Sequence, residues 1–152
     1  MNSNPQIEYL NTDLDLVATC SLEDLRAEMV QHGLFGRATP CDDGTWYAMF
    51  EDCNADEPEP NIINLLDALD QLSPAATQVL QQCTRFEFNI GYDCGAEPLT
   101  VPQTISHATL RRIVEHGASI RITLYPYRPH SDTEITHVDL TDEDNASNPE
   151  RE

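Results

Sequence analysis

The chain has 152 residues, with 27 acidic side chains against 8 arginines, no lysine, and a formal net charge of −19. A field of that sign repels nucleic acid and anionic membrane and draws basic partners, and the missing lysine excludes Schiff-base, P-loop and lysine general-base chemistry. No stretch approaches the roughly 20 apolar residues of a membrane helix, and Met1 to Glu8 lack the apolar core of a secretion signal, so a cytoplasmic location and a single domain over residues 7–140 are expected.

In chain order, Leu14 to Cys20 is apolar enough for a first strand. Ser21 reads as the N-cap of a helix, with Asp24 as its capping-box partner. Leu22, Leu25, Met29 and Val30 form the helix's buried stripe, and Gly33 ends it. Gly36 to Gly44 is rich in turn residues and reads as a turn region. Thr45 to Glu51 is an aromatic strand, followed by an acidic loop from Asp52 to Pro60. Asn61 is expected to cap a second helix with Ile62, Leu65, Leu66, Leu69 and Leu72 inward. Ser73-Pro74 restarts a helix to about Gln82, with Ser as cap and Pro at the first helical position.

Arg85 to Gly91 alternates Phe86, Phe88 and Ile90 with polar residues, the pattern of a half-buried strand. After a loop, Ser106 caps a helix ending at Gly117, and Ala118 to Tyr125 is a further strand, stopped by Pro126. Glu134 to Leu140 adds an edge strand, and residues 141–152 form an acidic tail expected to be disordered. The run Ser21, Leu25, Arg26, His32, Gly33 is echoed by Ser106, Leu110, Arg111, His116, Gly117, which points to two strand–helix–strand halves. The expected fold is α+β: a four- to five-stranded, mainly antiparallel sheet with helices on one face, arranged as a ferredoxin-like split βαβ with an inserted helical pair.

Phe88-Asn89-Ile90-Gly91, the Ser106-capped helix and Tyr125-Pro126 give Arg85 to Pro126 a resemblance to small, acidic, uncharacterised bacterial domains. Some proteins of that kind look like immunity proteins, which neutralise a neighbour's secreted toxin. The resemblance implies such a role and assigns no functional residue.

Five cysteines (Cys20, Cys41, Cys53, Cys83, Cys94) with no Cys-x-x-Cys read as reduced thiols; a zinc site from Cys41, Cys53, Cys94 and a histidine is the lesser alternative. His32 and His116 sit in the last turns of helices, where they complement the dipole, and His130 and His137 lie in a polar tail unsuited to a catalytic triad. Asp13-x-Asp15 reads as a solvated strand edge, and there is no EF-hand, His-Glu-x-x-His or Gly-x-Ser-x-Gly. No metal, cofactor or catalytic residue is therefore expected.

The acid is uneven. Residues 1–60 hold thirteen acids and two arginines, residues 61–131 six and five, and residues 132–152 eight and one. Asp42, Asp43, Asp52, Asp56, Glu57 and Glu59 flank the aromatic strand that carries Trp46 and Tyr47. Acids that steer a basic partner, beside aromatics that anchor it, are the composition of an inhibitor of a basic cleft. The expectation is a non-enzymatic acidic protein that neutralises a basic protein, foremost a toxin such as a nuclease, with those eight residues as its partner-binding surface. A protein–protein adaptor and a salt-adapted small-ligand domain are the alternatives.

Overall fold

A computed structural model describes residues 5–52 and 54–127. The expected edge strand at 134–140 and the tail at 141–152 lie outside the described residues. The elements are β1 (Glu8–Ala18), α1 (Glu23–Gln31), β2 (Phe35–Pro40), β3 (Trp46–Glu51), α2 (Pro58–Leu69), α3 (Pro74–Leu80), β4 (Arg85–Asp93), α4 (His107–His116) and β5 (Ser119–Tyr125). The fold is α+β, and the described residues form four helices and one five-stranded sheet in the order β2-β3-β1-β4-β5. The β2–β3, β3–β1 and β1–β4 pairings are antiparallel, but β4 and β5 run parallel, so the sheet is mixed.

β1 is the central strand and starts at Glu8, six residues before the expected Leu14. Residues 8–13 hide from an apolar pattern because their buried members are polar and satisfied: Thr12 is fully buried and shares a 2.8 Å hydrogen bond with the Tyr9 hydroxyl. The Gly36 to Gly44 turn region is corrected to a strand and a hairpin. β2 pairs with β3 along its whole length, and Cys41 N–H donates to Thr45 O at 2.8 Å across the tip. The turn residues misled because β2 is an edge strand, where Pro40 and Gly36 are tolerated. Gly36 is also required by packing, since a Cβ there would lie 2.6 Å from the Phe50 ring.

Two helix starts shift. In α1 the N-cap position is Leu22, and Ser21 Oγ accepts from Glu23 N–H at 3.3 Å one step earlier. α2 begins at Pro58, inside the supposed acidic loop, because prolines sit without loss in a first turn whose N–H groups have no helical acceptor. Asn61 is then not a cap. It is buried in the helix, where Nδ2 donates to Tyr9 Oη at 2.6 Å and to Ala55 O at 3.0 Å. Ser73 and Ser106 do cap as expected, accepting from Ala76 N–H at 3.2 Å and Thr109 N–H at 3.3 Å, and Gly117 ends α4 with φ 77°.

The helices lie on one face of the sheet. Leu14, Leu16 and Ala18 of β1, Ala48 and Phe50 of β3, and Phe88 and Ile90 of β4 share that face by register. They form one core with Leu25 and Met29 of α1, Leu65 and Leu66 of α2, Leu80 of α3 and Ile113 of α4. Glu28 ties α1 to the α2–α3 junction, accepting from Ser73 N–H at 2.8 Å and Ser73 Oγ at 2.6 Å.

Candidate functional site

With every described helix on one side, the odd-numbered residues of β1 from Asn11 onward, and those of β3 and β4, face away from the core on an open, polar surface, while a register shift between Tyr9 and Asn11 returns Tyr9 to the helix side. Strand period two puts Asp13 and Asp15 there together, between the buried Leu14 and Leu16. Register sets Glu51 of β3 and Asn89 of β4 beside Asp13, and Glu87 of β4 beside Asp15. Asp13-x-Asp15 is therefore the middle of the sheet and not a solvated edge, and Asp15 is only 6% exposed.

A chain of hydrogen bonds crosses four strands at this point. Tyr47 Oη donates to Asp15 Oδ1 at 2.7 Å, Asn89 Nδ2 reaches Asp15 Oδ2 at 3.5 Å, and Thr123 Oγ1 donates to Asn89 Oδ1 at 2.7 Å. The Tyr47 phenol is pushed above its ordinary pKa by burial first, then by the bond to Asp15 and the charges of Asp15 and Asp13, so it stays a protonated donor. Glu87 Oε1 is buried and has a charge contact, not an aligned hydrogen bond, with the Arg121 guanidinium at 2.7 Å; Arg85 follows at 3.6 Å.

Asp13 is the strained member. Burial raises its pKa most, and Glu51 and then Asp15 raise it further. The Asn11 amide, donating at 3.0 Å, and the Arg37 charge oppose them, and the balance is about 6. The centre of the open face thus holds more negative charge than its own cations neutralise. A cationic group laid over Asp13 and Glu51 would relieve that repulsion.

The eight residues singled out from the sequence do not form one surface. Asp42 and Asp43 are exposed at the β2–β3 tip, where Asp43 holds Thr45 through its N–H at 3.0 Å and hydroxyl at 2.6 Å. Asp52, Asp56, Glu57 and Glu59 follow the other end of β3, six residues or about 20 Å away. Trp46 turns to the helix side and packs against the core margin opposite Ala18. Asp52 is buried and accepts from the side-chain amides of Asn54 and Asn64, closing the β3–α2 loop. Glu59 accepts from Ser106 N–H at 2.8 Å and Thr109 Oγ1 at 2.7 Å, and these bonds lower its pKa while pinning the start of α4 to α2. Asp56 and Glu57 are exposed. Of the eight, Tyr47 alone belongs to the open-face cluster.

Among the described residues no group of three or more His, Cys, Asp or Glu is placed to hold a metal ion. Cys41 sits at the hairpin tip and Cys94 beyond β4, while Cys53 lies outside the described residues. Among the described residues no helix is long and apolar enough to cross a membrane. No protein-family model matches the chain, and no curated protein or solved structure matches it either.

Proposed function

We propose that the chain is a non-enzymatic, cytoplasmic binding protein that takes a basic protein partner, foremost a toxin such as a nuclease, and neutralises it as an immunity protein does. The observation that carries this reading is the crowding of Asp13, Asp15 and Glu51 on a sheet face that the helices leave open, with Asp13 held at a pKa of about 6. An arginine or lysine of the partner supplies the missing counter-charge there, and the net charge of −19 steers the encounter. Tyr47 and Met49 beside the carboxylates give such a cation an apolar rim. The strand order also supports reading β1–β4 as a ferredoxin-like split βαβ core: β3 lies between β1 and β2, and β1 lies between β3 and β4, with β5 appended.

The test is affinity capture from host lysate at low salt with the wild-type chain and with the Asp13→Asn/Glu51→Gln variant. A basic protein retained by the wild type, lost with the variant and shed at high salt is the expected result. Equal retention by both, or no basic protein on either, sinks the reading.

A further inference from the structure

The sheet has two outer strands, and they are finished differently. β2 is short and ends in Pro40, a common way of blunting an edge. β5 pairs with β4 on one side, and on the other side no strand among the described residues meets it. Its helix-side residues Ile120, Ile122 and Leu124 stand level with Phe88, Ile90 and Tyr92 of β4, yet Ile122 and Leu124 are 64% and 62% exposed. On the same face α4 leaves Val114 74% exposed. A cleft of about 500 Å³, lined in part by Leu99 and Val101, continues this apolar strip past Ile122 and Leu124. An apolar strip beside an unpaired strand edge is built for strand addition.

We propose that the occupant is the chain's own segment 134–140, laid antiparallel along β5 as a sixth strand. Length is the first argument: 25 residues follow Tyr127, and residues 134–140 match the seven of β5 after a connection over 126–133. Charge is the second. Residues 132–152 carry eight acids and one arginine, whereas α4 and β5 expose Arg111 and Arg121.

The side-chain pattern then selects one register, because a slip of one residue turns every side chain to the other face. With Val138 beside Ile122, Thr136 meets Leu124 and Leu140 meets Ile120 on the helix side. The same register places Asp139 beside Arg121, His137 beside Thr123 and Ile135 beside Tyr125 on the open face. The shifted register would set Asp139 and His137 over Ile120 and Ile122, stranding a charge on the apolar strip.

Amide hydrogen exchange on the full chain decides the matter, with three proteins compared: wild type, Val138→Asp/Leu140→Asp, and Ile135→Asp. β1 lies two strands away from the outer edge of the sheet, with β4 and β5 between, so β1 amides should stay protected in all three and report intact folding. The β5 amides that face away from β4 should be protected in the wild type, exchange at least about tenfold faster in the double variant, and stay within about twofold of wild type in Ile135→Asp. Fast exchange of those amides in the wild type overturns the proposal. Equal protection in all three, or loss caused by Ile135→Asp instead of the double variant, also overturns it. Protection that grows with protein concentration alongside a doubled mass would assign the edge to a second copy and overturn it as well.

Discussion

The two faces of β1 show what one strand can do with alternate residues. Leu14, Leu16 and Ala18 are fully buried under helices, while Asp13 and Asp15, interleaved with them, stand on a face that no helix among the described residues covers. On the first face stability comes from area removed from water, which is non-directional and large. On the second it comes from aligned polar contacts whose net worth is small and whose charges partly oppose one another. The same backbone thus carries a face that holds the fold together and a face free to spend its chemistry on a partner.

Breaking the covered face should have the largest effect. Leu16→Ala removes a fully buried side chain from the centre of the sheet and should cost about 3–5 kcal/mol, read as a lower urea midpoint. A loss under about 1 kcal/mol would mean that the core collapses to fill the space. On the open face, Tyr47→Phe removes the 2.7 Å donor from a nearly buried carboxylate and should cost about 1–2 kcal/mol by the same assay. The smallest effect has the opposite sign. Asp13 has a folded pKa of about 6, above its ordinary 3.8, so the folded state binds that proton more tightly than the unfolded chain does. Its penalty is absent below about pH 4, grows between there and pH 6, and is complete above. Asp13→Asn should therefore stabilise the protein by about 1 kcal/mol at pH 8, allowing for solvent screening of a half-exposed group, and by nothing measurable at pH 3.5. Thermal melts across that range check it, and a gain that persists at pH 3.5 would exclude carboxylate repulsion as its source.

Apolar period and caps made most of the fold legible in the chain. Phe86, Phe88 and Ile90 marked β4, Ser73 and Ser106 marked their helices, and the leucines of 62–69 marked α2. What escaped was structure built on polar or turn residues. The first half of β1 hides because Thr12 is buried as a hydrogen-bonded hydroxyl, and β2 hides because an edge strand tolerates Gly36 and Pro40. The parallel β4–β5 pairing follows from the α4 crossover, whose Ser106 cap and Gly117 stop are legible in the chain, since a strand–helix–strand unit is the connection a parallel pair needs. The open-face cluster was half visible: Asp13 and Asp15 alternate with Leu14 and Leu16, the mark of one shared face, but Glu51, Glu87 and Arg37 join them only through register. The acids grouped by sequence nearness, Asp42 to Glu59, turn out to sit at both ends of β3. Two of them, Asp52 and Glu59, serve as loop and helix ties.

The central place of β1 has a consequence for the order of events when the chain is made. Among the described strands it is made first, yet it needs a neighbour on each side, and 33 residues separate the end of β3 from its second neighbour, β4. At about 5–20 residues per second, that stretch takes roughly 2–7 s to synthesise. Throughout that interval a strand bearing Leu14 and Leu16 has an open flank, and only its core face gains cover, from α2 packing over it.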